Sequence, residues 1–530
     1  MQDFLSLYSA LERTQSTSKK VEILAHYLAD APMEEAVWVL YLFLGRRQKR
    51  TVSRKTLQEA LMEAQGLPPW LFEECYATVG DLAETISLLL DSTKGLRSSP
   101  PLSQWMLLIQ EQLRLTDPET QKQLLQQWWR EYPKEEIFLI TKLITGGMRI
   151  GLAKNLLMRA LAKAFDKTPE YVAEQFMGEP TLTVEWLKAL RDGDSSLGSQ
   201  QRPYPFYLAS PIDQEVEALG SVSDYALEWK WDGIRAQLVK RGDQLALWSR
   251  GEEWLNESFP EILKAARELP GNLVLDGELL IEREGQIQSF AVLQKRIMRK
   301  KLNAKILAES PAIFMAFDCL EAEGLDLRPL SQRERRSKLE QVLTLDRSCL
   351  QVSPLQSVKS WQEAAQLRLS AAAHGVEGLM LKEWHGPYRQ GRKRGAWWKW
   401  KLDPMTLDAV LIYAQAGHGR RATQFTDYTF ALWKDGELVP FAKAYSGLDQ
   451  AEITELDRWI KAHTLQKFGP VRSVEPQRVF EIAFEGIQAS TRHKSGIAVR
   501  FPRILRERND KQPEQADSVE RAKELIDGRR

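Results

Sequence analysis

Cysteine is nearly absent: Cys75, Cys319 and Cys349 are the only three in 530 residues. Three scattered thiols exclude a disulfide framework and a four-cysteine zinc module within this chain, and they fit a reducing compartment. Net charge is nearly absent too, at +1 from 73 Lys+Arg and 72 Asp+Glu. As a sum, that argues against a bulk polyanion binder. No apolar run approaches the roughly 18 residues of a membrane span. Residues 1–20 are amphipathic and mixed in charge, without the apolar core and small-residue cleavage site of a signal peptide. The expected location is the cytoplasm. Internal repeats and low-complexity segments are also missing.

What is present is an ordinary globular composition, 43% hydrophobic and 27% charged, at a length that predicts three or four domains. Residues 1 to about 190 carry apolar positions three and four apart, as in Val21, Leu24, Tyr27 and Leu28, or Leu143, Ile144, Met148, Leu152, Leu156 and Leu157. That spacing predicts helices. The stretch 192–205 collects Gly, Ser, Asp, Gln and Pro and reads as a linker. Beyond it, strand-like runs at 225–231, 236–239, 244–249, 273–281 and 313–320 alternate with helical stretches at 258–269, 331–343 and 360–373. They predict a mixed α/β domain that ends near 401–404. From Asp408 onward, β-rich runs at 409–414, 428–434, 438–442 and 479–489 surround one helical stretch at 449–463. A small barrel is expected there. The polar tail after 511 reads as a frayed helix.

The neutral total hides blocks of one sign. Residues 45–55, 295–305 and 389–401 each hold six cations and no acids, residues 142–163 hold five and none, and residues 492–511 hold seven against two. Acids gather elsewhere, with nine against three cations in 252–284. One basic run alone is usually a solvated face. Five runs, spread over every inferred domain, fit a surface that follows a phosphate backbone, which needs local rather than total positive charge.

The stretch EWKWDGIR (228–235) puts a lysine at a strand end, Asp-Gly at a turn and an arginine on the next strand. Alone, it could be a hairpin with a surface lysine. Ordered partners follow it: SRGE (249–252), LDGEL (275–279), FMAFD (314–318), EGLMLK (377–382), WKWK (398–401) and RFPRILRERNDK (500–511). In WKWK the alternation turns both lysines to one side of a strand. Together they form an inventory for nucleotidyl transfer: a candidate nucleophile, carboxylates able to hold a divalent metal, an aromatic to stack on a base, and cations for phosphates.

This ordered set resembles the six motifs of covalent nucleotidyltransferases, and most closely the ATP-dependent DNA ligases. The likeness covers nearly the whole chain. ITGGMRIGLAK (144–154) resembles the helical DNA-binding domain of archaeal, eukaryotic and some bacterial ligases, and AGHGRR (416–421) with TDYTF (426–430) resembles their OB domain. The resemblance implies a multidomain α+β chain: a helical DNA-binding domain at 1–200, an adenylation domain at 205–403, an OB-fold barrel at 404–511 and a charged tail at 512–530.

It also implies roles. Lys230 would attack the α-phosphate of ATP, release pyrophosphate and form lysyl-AMP. AMP would pass to the 5′-phosphate of a nick in duplex DNA, and the 3′-hydroxyl would displace it. Glu228 would help read adenine, Arg235 and Arg250 would hold ribose and phosphate, and Phe317 would stack on the base. Glu278 would touch ribose and support the metal, Glu377 would be a metal carboxylate, and Lys399 and Lys401 would neutralise the α-phosphate. The last motif would supply Arg503, Arg506, Arg508, Asp510 and Lys511, whose basic members, Lys511 especially, would orient the leaving pyrophosphate. Mg²⁺ is the implied metal, and monomeric action is expected. Relatives often carry an arginine six residues before the first lysine of Trp-x-Lys-x-Lys. Lys393 stands there and Arg394 follows it; Arg394 is the candidate nucleotide contact and Lys393 the alternative. The cysteine count disfavours an NAD-dependent ligase, and the helical domain disfavours a capping guanylyltransferase. The full C-terminal motif disfavours an RNA ligase. The complete set of Lys230, Glu278, Glu377, Lys399 and Lys511 disfavours an inactive nucleic-acid-binding scaffold.

Overall fold

A computed structural model describes residues 1–45, 51–91, 98–146, 148, 152–194, 200–299, 302–343, 349–417 and 424–527. The first part is helical, from Gln2–Arg13 to Val184–Asp192. Its apolar stripes converge on one core that includes Phe4, Leu40, Leu57, Trp105, Leu139 and Leu187. Side-chain caps start several of these helices. Ser53 accepts a hydrogen bond from the Thr56 amide and Thr183 from the Trp186 amide, satisfying amides that the first turn leaves unpaired. The apolar series 143–157 is divided between two helices, Lys134–Thr145 and Lys154–Ala164. Gly146, at φ 68°, ends the first in a left-handed cap. The quoted residues Gly147, Arg149, Ile150 and Gly151 between them lie outside the described residues, as do 46–50 and 300–301 of two basic runs.

The middle of the chain builds two sheets. One orders Ser210–Pro211, Trp397–Lys401, Gly378–Glu383 and Tyr225–Trp229. The other runs Gln244–Ser249, Ile234–Arg241, Leu273–Arg283, Ala312–Ala322 and Leu325–Asp326, with two short strands paired at its flank. The strands flanking Lys230 therefore do not form a hairpin. The chain leaves the first sheet at Trp229 and enters the second at Ile234. Gly233 is required in that crossing, because a Cβ there would lie 2.2 Å from the Leu279 carbonyl oxygen.

The C-terminal part is an antiparallel OB-like barrel of Met405–Ala416, Phe425–Lys434, Glu437–Ala444, Thr464–Phe468, Val471–Val474, Val479–Phe484 and Arg503–Glu507. The helix Gln450–Ala462 covers its core. The polar hairpin 464–474 was not expected from sequence, since its first strand is mostly exposed and carries no apolar alternation. Residues 418–421 of the OB-like segment lie outside the described residues. The tail does not fray. Val519–Asp527 is a helix whose Val519 and Ala522 join the barrel core, and Asp517 exchanges hydrogen bonds with the Asp408 backbone. No helix among the described residues is long and apolar enough to cross a membrane.

One buried ion pair fixes the core of the middle, mixed α/β part. Arg335 forks onto Asp318 at 2.9 and 3.1 Å with both side chains fully buried, next to Phe317. Arg335→Ala would strand the Asp318 charge in the interior. A loss of roughly 3–5 kcal/mol in denaturant-unfolding free energy is expected.

Candidate active site

Sheet register assembles the site. Lys230 donates its amide to the Gly378 carbonyl and accepts from the Glu377 amide, while Gly378 pairs with Lys401. One row across the sheet is thus Lys230, Gly378 and Lys401. Glu228, Met380 and Lys399 make the next row, and Ala226, Lys382 and Trp397 the one after. Rows two residues apart share a face, so Lys230, Lys401, Glu228, Lys399 and Lys382 all lie on one side. Gly378 sits at φ 140°, and a Cβ there would meet the Trp400 carbonyl oxygen at 2.2 Å. Only glycine keeps these strands together between the two lysines.

That face floors a cavity of about 830 Å³ whose lining includes Lys230, Glu228, Arg235, Arg250, Glu278, Phe317, Glu377, Lys399 and Lys401. Lys230 Nζ is 2.5 Å from Glu377 Oε2, and Lys401 Nζ lies 3.2 Å from the same oxygen. Burial alone would raise the Glu377 carboxyl, but Lys230 and Lys401 outweigh it and hold the group below its ordinary range. Glu278 faces them from the second sheet, opposite Arg235 in register, and accepts the Gly233 amide at 3.2 Å. Burial pushes Glu278 up to about 7 against the pull of Lys230 and Arg235, with Glu377 adding to the rise. Burial, then the charges of Lys401, Lys230 and Arg392, lower Lys399.

Several predicted contacts are already engaged. Glu228 is buried and accepts from Lys382 Nζ at 2.8 Å, and that ammonium lies 4.4 Å from the Phe317 ring centre. Arg235 forks onto Asp276 at 3.1 and 2.7 Å and donates to the Tyr207 carbonyl. Arg250 stands on an exposed turn and its guanidinium has no hydrogen-bond or ion-pair partner among the described residues. Arg394 requires correction. Its guanidinium pairs with Asp213, and Lys393 reaches Glu170 at 3.0 Å. Neither lines the cavity, and the cation that does is Arg392. Gly391 and Gly395, at φ 66° and 127°, bound this turn and send its successive side chains in different directions.

The OB-like domain closes one end of the cavity with residues outside the predicted set. Arg500 meets Asp232 at 2.9 Å, Glu485 takes Lys401 at 2.7 Å, and Phe501, 61% exposed at φ 54°, lines the opening. Arg503 stands 3.7 Å from Glu485. The rest of the C-terminal motif is held on its own domain. Arg506 pairs with Glu481, Arg508 with Asp408 and Asp510, and Lys511 with Asp408 at 2.6 Å. Arg506, Arg508, Asp510 and Lys511 do not line the cavity in this arrangement.

Comparison with known proteins bears on this assembly directly. The family "ATP dependent DNA ligase domain" matches residues 206–401, "DNA ligase N terminus" matches 1–162, and "ATP dependent DNA ligase C terminal region" matches 421–511. A "Probable DNA ligase" of Koribacter versatilis is 34% identical over 99% of this chain and 96% of its own length. The chain belongs to the ATP-dependent DNA ligases. A "DNA ligase" of Thermococcus fumicolans is 29% identical over 99% of this chain and 97% of its own. The solved structure "Pmar-Lig_PreS3", at 16% identity, shares the fold with a TM-score of 0.58 over 95% of this chain and 99% of its own.

In this ligase, the sequence did not single out Lys382, Arg392, Arg500 and Glu485 as lining the cavity around Lys230. Lys382 had a signal, since it lies two residues from Met380 on the same strand face. Arg392 had none that separates it from the five other cations of its run.

The Glu278 carboxyl gives a pH test. Its folded value near 7 exceeds the ordinary 4.5, so the unfolded chain ionises first. Stability is unaffected below about pH 4.5, falls as pH rises toward 7 and stays reduced above. Glu278→Gln removes that loss. Its melting temperature relative to the native chain should rise between pH 5 and pH 8 in chelator-containing buffer, measured by calorimetry.

Proposed function

We propose that this ligase seals nicks in duplex DNA through lysyl-AMP and DNA-adenylate intermediates. The observation that carries the reading is the one sheet face on which Lys230 and Lys401 share a row and Glu228 and Lys399 the next. Lys230 Nζ attacks the α-phosphorus of ATP, an N–P bond forms, pyrophosphate leaves and the amine gives up its proton. For this the contact with Glu377 must open, because an ammonium has no lone pair. A 5′-phosphate oxygen of the nick then takes the adenylyl group and the N–P bond breaks. Last, the 3′-hydroxyl attacks the activated phosphate, loses its proton and expels AMP.

Lys399 and Lys401 stabilise charge on the α-phosphate, with Arg392 in place of Arg394. Phe317 supplies a stacking surface for adenine, backed by Trp397, whose ring centre is 6.2 Å away. Glu228, locked by Lys382, presents adenine with backbone rather than a free carboxylate. Arg250 is the guanidinium open to ribose or phosphate. Arg235, bound to Asp276, braces the cavity wall.

Mg²⁺ is the metal this reading implies, and the residues fit it. No three-ligand cluster occurs among the described residues, but Glu278 and Glu377 face one cavity and the charge of Glu377 reaches Glu278. Two hard carboxylates suit an ion that keeps waters and binds chiefly to phosphates. When bound it would offset negative charge on the reacting phosphates. Burial first, and the Glu377 charge after it, raise Glu278, so a cation between the two carboxylates would favour its ionised form.

The helical region (1–200) and the OB-like region (404–511) supply the DNA grip. Because Arg508, Asp510 and Lys511 lie away from the cavity, their role with pyrophosphate requires the OB-like domain to rotate about residues 402–404. Lys295, Arg299 and Arg283 rim a separate cavity of about 640 Å³ and offer cations to the phosphate backbone.

Incubation with α-labelled ATP and Mg²⁺ should label the native protein, and Lys230→Ala should abolish the label. Unlabelled native protein would refute the reading. GTP and NAD should give no label, and a nicked duplex should be joined. Lys399→Ala should slow adenylylation by on the order of a hundredfold. The logarithm of nick affinity should fall linearly with the logarithm of salt concentration.

A further inference from the structure

The helical domain touches the nucleotide cavity's rim at two turns, and each turn carries a cavity cation. In the first, Lys154 Nζ contacts both carboxylate oxygens of Glu252, at 2.7 and 2.8 Å. Glu252 closes the turn 249–253 that bears Arg250. There the Glu252 amide donates to the Ser249 carbonyl, the Ser249 amide to the Glu253 carbonyl, and the Arg250 amide to the Arg235 carbonyl. In the second, Glu170 takes Lys393 at 3.0 Å, beside Arg392.

Two features of the first contact run against local preference. Glu252 adopts φ 63° while its neighbour Gly251 does not have a positive φ. The left-handed position thus falls on a residue with a side chain, where glycine would be cheaper. Lys154 is the first residue of its helix, follows an uncapped Ala153 and has no acid in the first turn. The helix dipole disfavours a cation there. Both costs are met at one point, the ion pair itself, which is well shielded on the Glu252 side at 20% exposure. A third contact, Arg328 with Glu174 at 2.5 Å, joins the same two domains without touching either turn.

We propose that the helical domain also organises the nucleotide site: Lys154 acts as a positioning residue that holds the Arg250 turn through Glu252, with Glu170 steadying the Arg392 turn through Lys393. Two contacts from the helical domain thereby set the placing of the cavity cations for ATP even without DNA. The inference rests on the proposed role of Arg250 and Arg392 at the nucleotide.

The test is self-adenylylation of the full chain with labelled ATP and no DNA. Lys154→Glu should raise the KM for ATP roughly three- to tenfold, the scale of a partly shielded ion pair, with a smaller change in kcat. The swap K154E with E252K should restore KM to within about twofold, which also shows that the single variant's defect is not misfolding. Glu174→Ala, which loosens docking away from the turns, should leave KM unchanged. The proposal is overturned if Lys154→Glu leaves KM as in the native chain, if the swap does not restore it, or if Glu174→Ala raises it equally. Native protein that takes no label would instead sink the functional reading.

Discussion

The antiparallel register of one short strand, Gly378–Glu383, governs the rest of the site. Held between Tyr225–Trp229 and Trp397–Lys401, it aligns residues from three distant parts of the chain on a single face. A slip of one residue would turn Lys399 and Lys401 to the opposite side and separate them from Lys230. Gly378 enforces that register sterically, since any side chain would strike the Trp400 carbonyl. The helices and second sheet around it keep this strand sandwich in place and bring Glu278 and Phe317 opposite.

Charge is arranged with equal economy. The cavity concentrates Lys230, Lys399, Lys401, Arg250 and Arg392 beside Glu278 and Glu377. Some of these groups are held in ion pairs: Glu377 bridges Lys230 and Lys401, and Glu485 of the OB-like domain takes Lys401, while nearby Arg500 holds Asp232. The Lys511 and Arg508 cations wait on Asp408. A chain of nearly zero net charge can therefore present strongly cationic surfaces where a polyanion is handled.

Much of the architecture was legible. Helical periodicity marked the first part, and β-rich runs marked the barrel. Alternation in WKWK put Lys399 and Lys401 on one face. The linker composition located the change of texture near residue 200. Failures came where local pattern and tertiary demand diverge. The Lys-x-Asp-Gly turn joins two sheets, a crossing that its local pattern could not distinguish from a hairpin. The tail looked too polar to dock, yet Val519 and Ala522 suffice to seat it. Lys393 and Arg394 stood out and Arg392 did not, because a loop has no period from which direction can be read.

By itself the sequence determined the chemistry available and its order along the chain: a candidate nucleophile in Lys230, candidate metal carboxylates in Glu278 and Glu377, the cations, and the resemblance to the ATP-dependent DNA ligases. Those are properties of residue identity and short-range spacing. Only the tertiary structure decided which groups meet. It paired Lys230 with Glu377 and Glu228 with Lys382, chose Arg392 over Arg394, and held Lys511 away on Asp408. These outcomes depend on register, glycine-directed turns and domain docking, which bring together residues more than a hundred positions apart and leave no local mark.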